Sequence, residues 1–301
     1  MIRIGIDLGG TKIEAVAMDA DGAITERRRV PAPQTYPDCL EAIAGLVRAI
    51  EREFGRGNPV GIGHPGSISP ATGLMRNANS TWLNDQPFAR DIEATLGRPV
   101  RLANDADCFT LSEAADGAGE GAKIVFGIIL GTGVGGGIAI DGKLLHGAQG
   151  IAGEWGHNPL PWPDESDRPA AACWCGQSGC LETWLSGPGL ARDHASRNGG
   201  ELDAAAIFAA AEAGDAAARR SVTLHSDRLA RGIASVLNIL DADVVVLGGG
   251  VSNAPGLAER VTARLPDFLF SDVVRTRIVT HRHGDSSGVR GAAWLWPAEA
   301  K

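Results

Sequence analysis

The sequence lacks any apolar run of the roughly 20 residues that a membrane-spanning helix needs. Its first ten residues, MIRIGIDLGG, contain Arg3 and Asp7 where a secretory signal peptide requires an uninterrupted apolar core. Positive charge is also scarce, because 28 Lys and Arg stand against 36 Asp and Glu, and general nucleic-acid binding depends on clustered basic residues. These absences predict a cytoplasmic protein that binds neither membranes nor nucleic acid.

Cysteine is sparse, with five residues, yet three of them fall in the stretch CWCGQSGC. An odd, clustered set in a reducing compartment favours a metal site over disulfides. Cys173, Cys175 and Cys180 need a fourth ligand, and the nearest good candidate upstream is His157 in GEWGHNPLP. Three cysteines and one histidine are a usual ligand set of structural zinc, so we predict a zinc-braced loop. A surface loop with incidental thiols is the alternative.

Two glycine turns join strand-like segments in a similar way, one in residues 3–18 and one in residues 125–140. A shift of 122 positions aligns identical residues, namely Gly5 with Gly127, Ile6 with Ile128, Leu8 with Leu130, Gly9 with Gly131, Ala17 with Ala139 and Asp19 with Asp141. This similarity predicts an internal duplication in which each half opens with a β-hairpin. Two such turns facing one cleft could hold a polyphosphate through their backbone N–H groups. Chance similarity of two glycine-rich strands is the alternative.

A third glycine segment follows a predicted helix whose apolar residues share one face, namely Leu229, Ile233, Val236, Leu237 and Leu240. A short buried strand, Val244 to Leu247, then leads into Gly248, Gly249 and Gly250. Such a turn brings backbone close to a bulky ligand, most simply the nucleoside end of a nucleotide. A plain connection between helix and strand is the alternative.

The stretch from Gly131 to Gly136 also matches the dinucleotide fingerprint, and a zinc-dependent dehydrogenase would explain both the glycines and the Cys/His set. The fingerprint counts only when a helix follows the glycines. Here Ile138 to Ile140 and the turn Asp141-Gly142 follow, which predict a strand and a reverse turn. The dehydrogenase is therefore disfavoured. A Walker-type phosphate loop is absent as well, because the segment Gly9 to Lys12 lacks the upstream glycine spacing.

The ordered motifs resemble the ROK family of sugar kinases and repressors along essentially the whole chain. They are DLGGTK (7–12), ND (104–105), GTG (131–133), GEWGH (153–157), CWCGQSGC (173–180), LE (181–182) and GGG (248–250). The resemblance implies an α/β, actin-like (ribonuclease H-like) two-lobed ATPase fold with the sugar and ATP in an interlobe cleft. The repressor branch adds a DNA-binding domain before the first hairpin, which here begins at residue 2, so we expect an enzyme.

The C-terminal GDSSGVRGAAWLW predicts a capped helix that packs back on the first lobe. We therefore expect a smaller lobe of residues 1–118 plus 289–301 and a larger lobe of residues 119–288 that carries the zinc loop. A homodimer is also expected, since dimers are common among the relatives that the chain resembles.

The resemblance, together with the position of Asp105 after the predicted strand PVRLAND, makes that carboxylate the expected catalytic base. It further implies sugar contacts from Asn79, Asn104, Asp105, Glu154, His157 and Glu182, with His157 serving both the metal and the sugar. The implied nucleotide contacts, with Asp7 holding Mg²⁺ through water, are Asp7, Gly9, Gly10, Thr11, Lys12, Gly131, Thr132, Gly133, Gly248, Gly249 and Gly250.

Within the family, the segments GSISPATGLMRNANSTWLN, GEWGHNPLPW and HGDSSGVRGAAWLWP look most like bacterial fructokinases of the manno/fructokinase type. The expected reaction is phosphorylation of D-fructose to fructose 6-phosphate, with mannose or glucose as further hexose substrates. An N-acetylglucosamine kinase of the same family is the alternative. Two residues depart from the family pattern, Trp174 inside the cysteine cluster and His64 before Pro65-Gly66.

Overall fold

The computed structural model describes residues 1–297, which form two compact units. Unit 1 comprises Met1–Glu120, Gly142–Ala152 and Asp285–Lys301, and unit 2 comprises Gly121–Asp141 and Gly153–Gly284. The segment Gly142–Ala152 groups with unit 1, whereas the sequence analysis assigned it to the second lobe. The last four residues of the predicted first lobe, 298–301, lie outside the described residues.

The strands in chain order are β1 (Arg3–Leu8), β2 (Lys12–Met18), β3 (Ile24–Pro31), β4 (Val60–His64), β5 (Ser67–Ile68), β6 (Met75–Arg76), β7 (Arg101–Asn104), β8 (Ile124–Leu130), β9 (Val134–Ile140), β10 (Lys143–Leu144), β11 (Val244–Gly248) and β12 (Arg277–Thr280). The α-helices are α1 (Tyr36–Phe54), α2 (Phe88–Leu96), α3 (Asp105–Asp116), α4 (Glu182–Leu185), α5 (Gly187–Asn198), α6 (Ala204–Glu212), α7 (Ala216–Leu240), α8 (Leu257–Arg264) and α9 (Ser287–Trp294). None of the helices within residues 1–297 is both long enough and apolar enough to cross a bilayer.

Unit 1 is built on a five-stranded sheet in the order β3-β2-β1-β4-β7. The β1–β2 and β2–β3 pairs are antiparallel, whereas β4 pairs in parallel with both β1 and β7. Apolar side chains of the central strands fill one core with α1 and α2. Because β1, β4 and β7 are parallel, their carboxyl ends lie at one edge of the sheet, and Asp7, His64 and Asn104 stand at or next to those ends.

The C-terminal helix α9 packs against β1 and α3, and its Val289, Ala292 and Ala293 are fully buried. The sequence analysis predicted a capped helix that returns to the first unit, and α9 packs there. The hydroxyl of Ser286, at the N-cap position, makes no capping hydrogen bond and accepts one from Arg27 Nη2 at 2.9 Å.

Unit 2 contains four strands of the second sheet in the order β9-β8-β11-β12. Its opening hairpin, β8 and β9, is antiparallel, and β9 has the bounds of β2 shifted by the predicted 122 positions. The long helix α7 buries Leu229, Ile233 and Leu237 in one core with apolar residues of β8 and β11. Both hairpins, the helix face and the short buried strand are thus confirmed.

Candidate active site

The first glycine turn connects β1 to β2 in unit 1. The N–H of Gly9 donates to the carbonyl of Lys12 at 3.0 Å, which closes the turn, and Gly10 and Thr11 are exposed at its tip. Lys12 is also exposed, with its ammonium 3.9 Å from the buried carboxylate of Glu14. Backbone N–H groups and one cation are therefore available at the tip for an anionic ligand.

Asp7, near the end of β1, lies beside the tight turn and beside Gly288 of α9. The pKa of Asp7 is raised to about 6, chiefly by desolvation on burial and then by the negative charges of Asp105 and Glu14, while Lys12 partly offsets the rise. A carboxylate that is costly to ionise in the protein alone gains from a nearby cation.

Asn104 ends β7, and Asp105 is the first residue of α3. The side-chain oxygen of Asn104 caps α3 by accepting a hydrogen bond from the Asp107 N–H at 2.6 Å. The side-chain NH₂ of Asn104 is thereby left for other partners. One oxygen of Asp105 accepts from the Ala106 N–H at 2.8 Å. Solvent reaches the Asp105 carboxyl, yet the protein around it raises the pKa of this group by desolvation. Asp7 and Asp105 are close enough for their charges to interact, so the structure brings these two predicted residues together.

Asn79 is exposed, and its neighbour Ser80 is buried beside Gly10 of the first turn. His64 is buried, and burial lowers its pKa to about 4, so its ring is neutral at physiological pH. Its Nδ1 lies 3.1 Å from the carbonyl of Pro65, and its ring meets Phe88 edge to face. His64 therefore supports the packing below the carboxyl edge of the sheet.

The second glycine turn connects β8 to β9 in unit 2. The Gly131 N–H donates to the Gly133 carbonyl at 2.9 Å, and the Gly131 carbonyl accepts from the Gly187 N–H at 2.8 Å. A strand follows these glycines, so the structural context of a dinucleotide-binding turn is absent here.

A cavity of about 710 Å³ in unit 2 contains predicted nucleotide residues from two turns, Gly131 and Thr132 from one and Gly250 from the other. Gly248 ends β11, and Gly249 adopts a φ of +81° with its α-carbon against the Leu130 backbone, where a Cβ would lie 2.4 Å from the Leu130 carbonyl oxygen. Glycine is required at that position because a side chain would be both strained and obstructed. The triple glycine therefore lets β11 turn directly beside β8.

Other walls of this cavity were not predicted. They come from the start of α5, from the whole length of α6 and from the residues after Gly250, namely Gly187, Pro188, Ala191, Asp203, Ala204, Ala205, Phe208, Ala209, Glu212, Val251, Asn253, Ala254 and Pro255. The sequence feature that could have indicated the start of α5 is Ser186-Gly-Pro, a capping serine followed by a proline in the first helical turn. A second cavity of similar size, about 700 Å³, is lined by Trp162, Arg231, Arg264 and Phe268 among others, and none of the predicted site residues lines it.

Glu154, Trp155 and His157 lie in a short 3-10 turn that packs on β9. Trp155 is buried, and its indole N–H donates to the Gly135 carbonyl at 3.0 Å. Gly156 lies so close to the Val134 carbonyl that a Cβ would be 2.1 Å from it. The turn is therefore held on the strand that follows the second glycine turn, with Glu154 and His157 half-buried.

His157, Cys173, Cys175 and Cys180 converge as predicted, with one ligand atom from each lying within 4.8 Å of the others. The Sγ atoms of Cys175 and Cys180 are 3.6 Å apart, and Cys173 Sγ is 3.6 Å from His157 Nδ1. Tetrahedral zinc with bonds of about 2.0–2.3 Å places its ligands about 3.5–3.8 Å apart, so the donor set and spacing fit that ion. Nδ1 faces the cysteines, which leaves Nε2 of His157 for another partner.

Glu182, the first residue of α4, connects the cysteine loop to the second glycine turn. Its Oε2 accepts from the Val134 N–H at 3.0 Å, and its Oε1 accepts from the Trp174 indole N–H at 2.8 Å. Within unit 2, the structure thus brings Glu182 and His157 close to the cysteine cluster, and the bracing role of the loop stays a prediction.

The profile of the ROK family matches residues 3–299. The chain is 41% identical over 296 residues to an N-acetyl-D-glucosamine kinase of Escherichia coli O1:K1 / APEC, covering 97% of this chain and 98% of that protein. It is similar to the crystal structure of a ROK hexokinase from Thermus thermophilus, with a TM-score of 0.87, 35% identity and 97% of each chain covered.

A second solved structure is a ROK family glucokinase from Streptomyces griseus in complex with glucose and AMPPNP. The TM-score is 0.78 with 29% identity, and the similarity covers 98% of this chain and 99% of that one. The sheet topology, the duplicated hairpins and these similarities agree on the actin-like ATPase fold that was expected. The chain therefore belongs to the ROK family, and it is a sugar kinase.

Proposed function

We propose that this protein transfers the γ-phosphoryl group of ATP to the 6-hydroxyl of N-acetyl-D-glucosamine. The observation that carries the proposal is the 41% identity, along nearly the full length of both chains, to an N-acetyl-D-glucosamine kinase. The expected preference for fructose has no support among these relatives. The hexokinase and glucokinase structures support glucose as a further substrate.

Asp105 is proposed as the general base. The Ala106 N–H holds one of its oxygens, so the other can accept the proton of the attacking hydroxyl. Desolvation raises its pKa, which makes the carboxylate a stronger base than an ordinary aspartate.

The other proposed sugar contacts divide by chemistry. Asn104 can donate from its amide, because its carbonyl oxygen is used for the cap. Glu154 and Glu182 can accept from pairs of hydroxyls, and Nε2 of His157 can pair with one more group. The exposed amide of Asn79 is proposed to complete the set from unit 1.

The nucleotide is proposed to bind through the two glycine turns and the triple glycine. The N–H groups of Gly9 and Gly131 close the two turns, and those of Gly10, Thr11, Thr132 and Gly133, with the Lys12 ammonium, suit the phosphates. Gly248 to Gly250 suit the nucleoside. Mg²⁺, when bound with ATP, neutralises charge on the phosphates. Asp7 would hold it through water, in keeping with a carboxylate whose pKa burial has raised.

Zn²⁺ is proposed as the ion of the cysteine cluster, bound by His157, Cys173, Cys175 and Cys180. When bound, it supplies a closed structural cross-link and no open catalytic position. Burial raises the pKa of Cys180 to about 12, so its thiolate requires a compensating cation. The loop would then hold His157 and Glu182 in fixed positions for the sugar.

A coupled assay of ADP release with four sugars tests the substrate. N-acetyl-D-glucosamine, glucose, fructose and mannose are compared by kcat/KM, and we expect the first to exceed the others by at least about tenfold. A higher value for fructose would reinstate the fructokinase expectation and overturn the proposal. Homodimer formation and a cytoplasmic location remain predictions, and sedimentation of the purified protein checks the first.

A further inference from the structure

Trp174 is an exposed aromatic residue inside the cysteine loop, between two of the proposed metal ligands. Its relative exposure is 66%, although a large apolar side chain is costly to leave in water. An exposed ring at such a position suggests contact with a ligand.

The contacts of Trp174 involve two residues proposed to bind the sugar. Its indole N–H donates to Glu182 Oε1 at 2.8 Å, and its ring meets that of His157 edge to face with centroids 4.9 Å apart. The other oxygen of Glu182 is held by the Val134 N–H at 3.0 Å. The Glu182 carboxylate is therefore fixed from two sides, one on the second glycine turn and one on the loop.

We propose that Trp174 determines sugar specificity by offering its ring face to the acetamido group of the substrate while its indole N–H orients Glu182. This inference rests on the proposed function, since it names the residue that distinguishes an N-acetylated sugar from a plain hexose. The acetamido group is planar and ends in a methyl group. Both features suit an aromatic face, whose negative potential attracts the positive edges of C–H groups.

Glucose should gain less from the Trp174 ring than N-acetyl-D-glucosamine does. Glucose has a small, polar hydroxyl where the acetamido group stands, so it gains little from an apolar ring. Loss of one apolar contact of this size in a binding site lowers kcat/KM by about 10–200-fold for the substrate that used it. The hydrogen bond to Glu182, in contrast, serves any sugar that binds this carboxylate.

Two variants separate these contributions. W174A removes the ring and the N–H, and we expect kcat/KM for N-acetyl-D-glucosamine to fall at least about tenfold more than kcat/KM for glucose. W174F keeps an aromatic face and loses the N–H, so the ratio of the two kcat/KM values should stay within about threefold of wild type while KM rises for both sugars. Equal losses for both sugars in W174A would overturn the inference.

W162F is the matched control, because Trp162 is also exposed in unit 2, at 51%, but its ring stacks on Phe268 with centroids 5.5 Å apart. In W162F, the ratio of kcat/KM for N-acetyl-D-glucosamine to kcat/KM for glucose should equal that of wild type. Binding is read independently from tryptophan fluorescence, where N-acetyl-D-glucosamine should change the emission of wild type and W162F but not of W174F. An unchanged wild-type emission would count against the contact.

The activity of the wild-type protein distinguishes failure of the proposed function from failure of the inference about Trp174. A wild-type protein that does not phosphorylate N-acetyl-D-glucosamine overturns the proposed function and this inference with it. A wild-type protein that does so, combined with an unchanged substrate ratio in W174A, overturns the inference alone.

Discussion

Asp7 and Asp105 are carboxylates of unit 1 whose pKa values desolvation raises, and they have different proposed tasks. Asp105 must lose its proton to act as a base, whereas Asp7 must be ionised to attract a cation. Their charges also oppose each other, since Asp105 raises the pKa of Asp7. The proposed site thus keeps two carboxyls in surroundings that disfavour their ionised forms, a common property of functional sites.

D105N should lower kcat by at least about 10²–10⁴-fold, because it removes the proposed general base. The amide keeps a similar shape, so the affinity for the sugar should change little. Steady-state kinetics and sugar titration of the variant provide the measurements. Turnover close to wild type would remove Asp105 from the role.

The pH dependence of kcat/KM should report the same carboxylate. A base works only when deprotonated, so kcat/KM should fall as the pH decreases through its pKa. Because desolvation raises the pKa of Asp105, the midpoint of this decline should lie above the ordinary value of 3.8. A profile measured with unchanged protein fold, checked by circular dichroism, should show a midpoint near 3.8 if the group is fully solvated.

D7N should stabilise the protein at pH 8 although it impairs catalysis. The pKa of Asp7 is raised from 3.8 to about 6, so the folded state binds its proton more tightly than the unfolded state does. The free energy of unfolding therefore falls as the pH rises from about 4 to 6, by up to about 3 kcal/mol, and this penalty persists above pH 6. In urea unfolding without magnesium, the free energy of unfolding of D7N should exceed that of wild type at pH 8. This difference should vanish at pH 4. Equal stability of both proteins at pH 8 would contradict the raised pKa.

Among the structural elements, the sequence predicted those whose conformation depends on residues close together in the chain. The two hairpins follow from alternating apolar residues and glycine turns, and the cysteine cluster follows from short spacing in one loop. The α5 and α6 walls of the 710 Å³ cavity were missed, because alanine-rich helix ends carry no chemical signature. The Trp174 to Glu182 contact was also missed, since it depends on how the loop folds over α4.

The turn after β11 provides a test with adjacent glycines. G249A should lower the free energy of unfolding by at least about 1–3 kcal/mol, because its φ is +81° and a Cβ would lie 2.4 Å from the Leu130 carbonyl oxygen. G250A is the control, since a Cβ there meets nothing within 4 Å. Thermal unfolding measures both. An equally stable G249A would show that the close approach of β11 to β8 is not required.

Removal of the proposed metal ion should affect the whole cysteine loop, because its ligands are spread along that loop. Chelation followed by return of Mg²⁺, or C175S, should raise the KM for sugar before it changes nucleotide affinity, because the proposed ion holds His157 and Glu182. Metal content is read by mass spectrometry, and added Zn²⁺ should restore the chelated wild type but not C175S. An unchanged sugar KM in metal-free protein would refute the bracing role.

At the scale of the whole molecule, the repeated hairpin explains why nucleotide residues are proposed in both units. Each unit contains an antiparallel hairpin whose turn presents backbone N–H groups, and the bounds of β2 and β9 differ by the same 122 positions that align the sequences. A duplicated turn provides two similar phosphate contacts from one type of local structure. In that alignment Thr11 pairs with Gly133 and Thr132 pairs with Gly10, so each turn has one threonine at its tip, displaced by one residue.

If one nucleotide contacts both turns, substitutions in either unit should reduce its stabilising effect on the chain. A ligand at 100 times its Kd stabilises the folded state by about 2.7 kcal/mol, and each tenfold loss of affinity removes about 1.4 kcal/mol. T11A and T132A should therefore each diminish the rise in Tm caused by AMPPNP. T223A, on the exposed side of α7, is the control and should respond as wild type does. A full response in T11A combined with a reduced one in T132A would restrict the nucleotide contacts to unit 2, and the proposed phosphate role of the first turn would then be wrong.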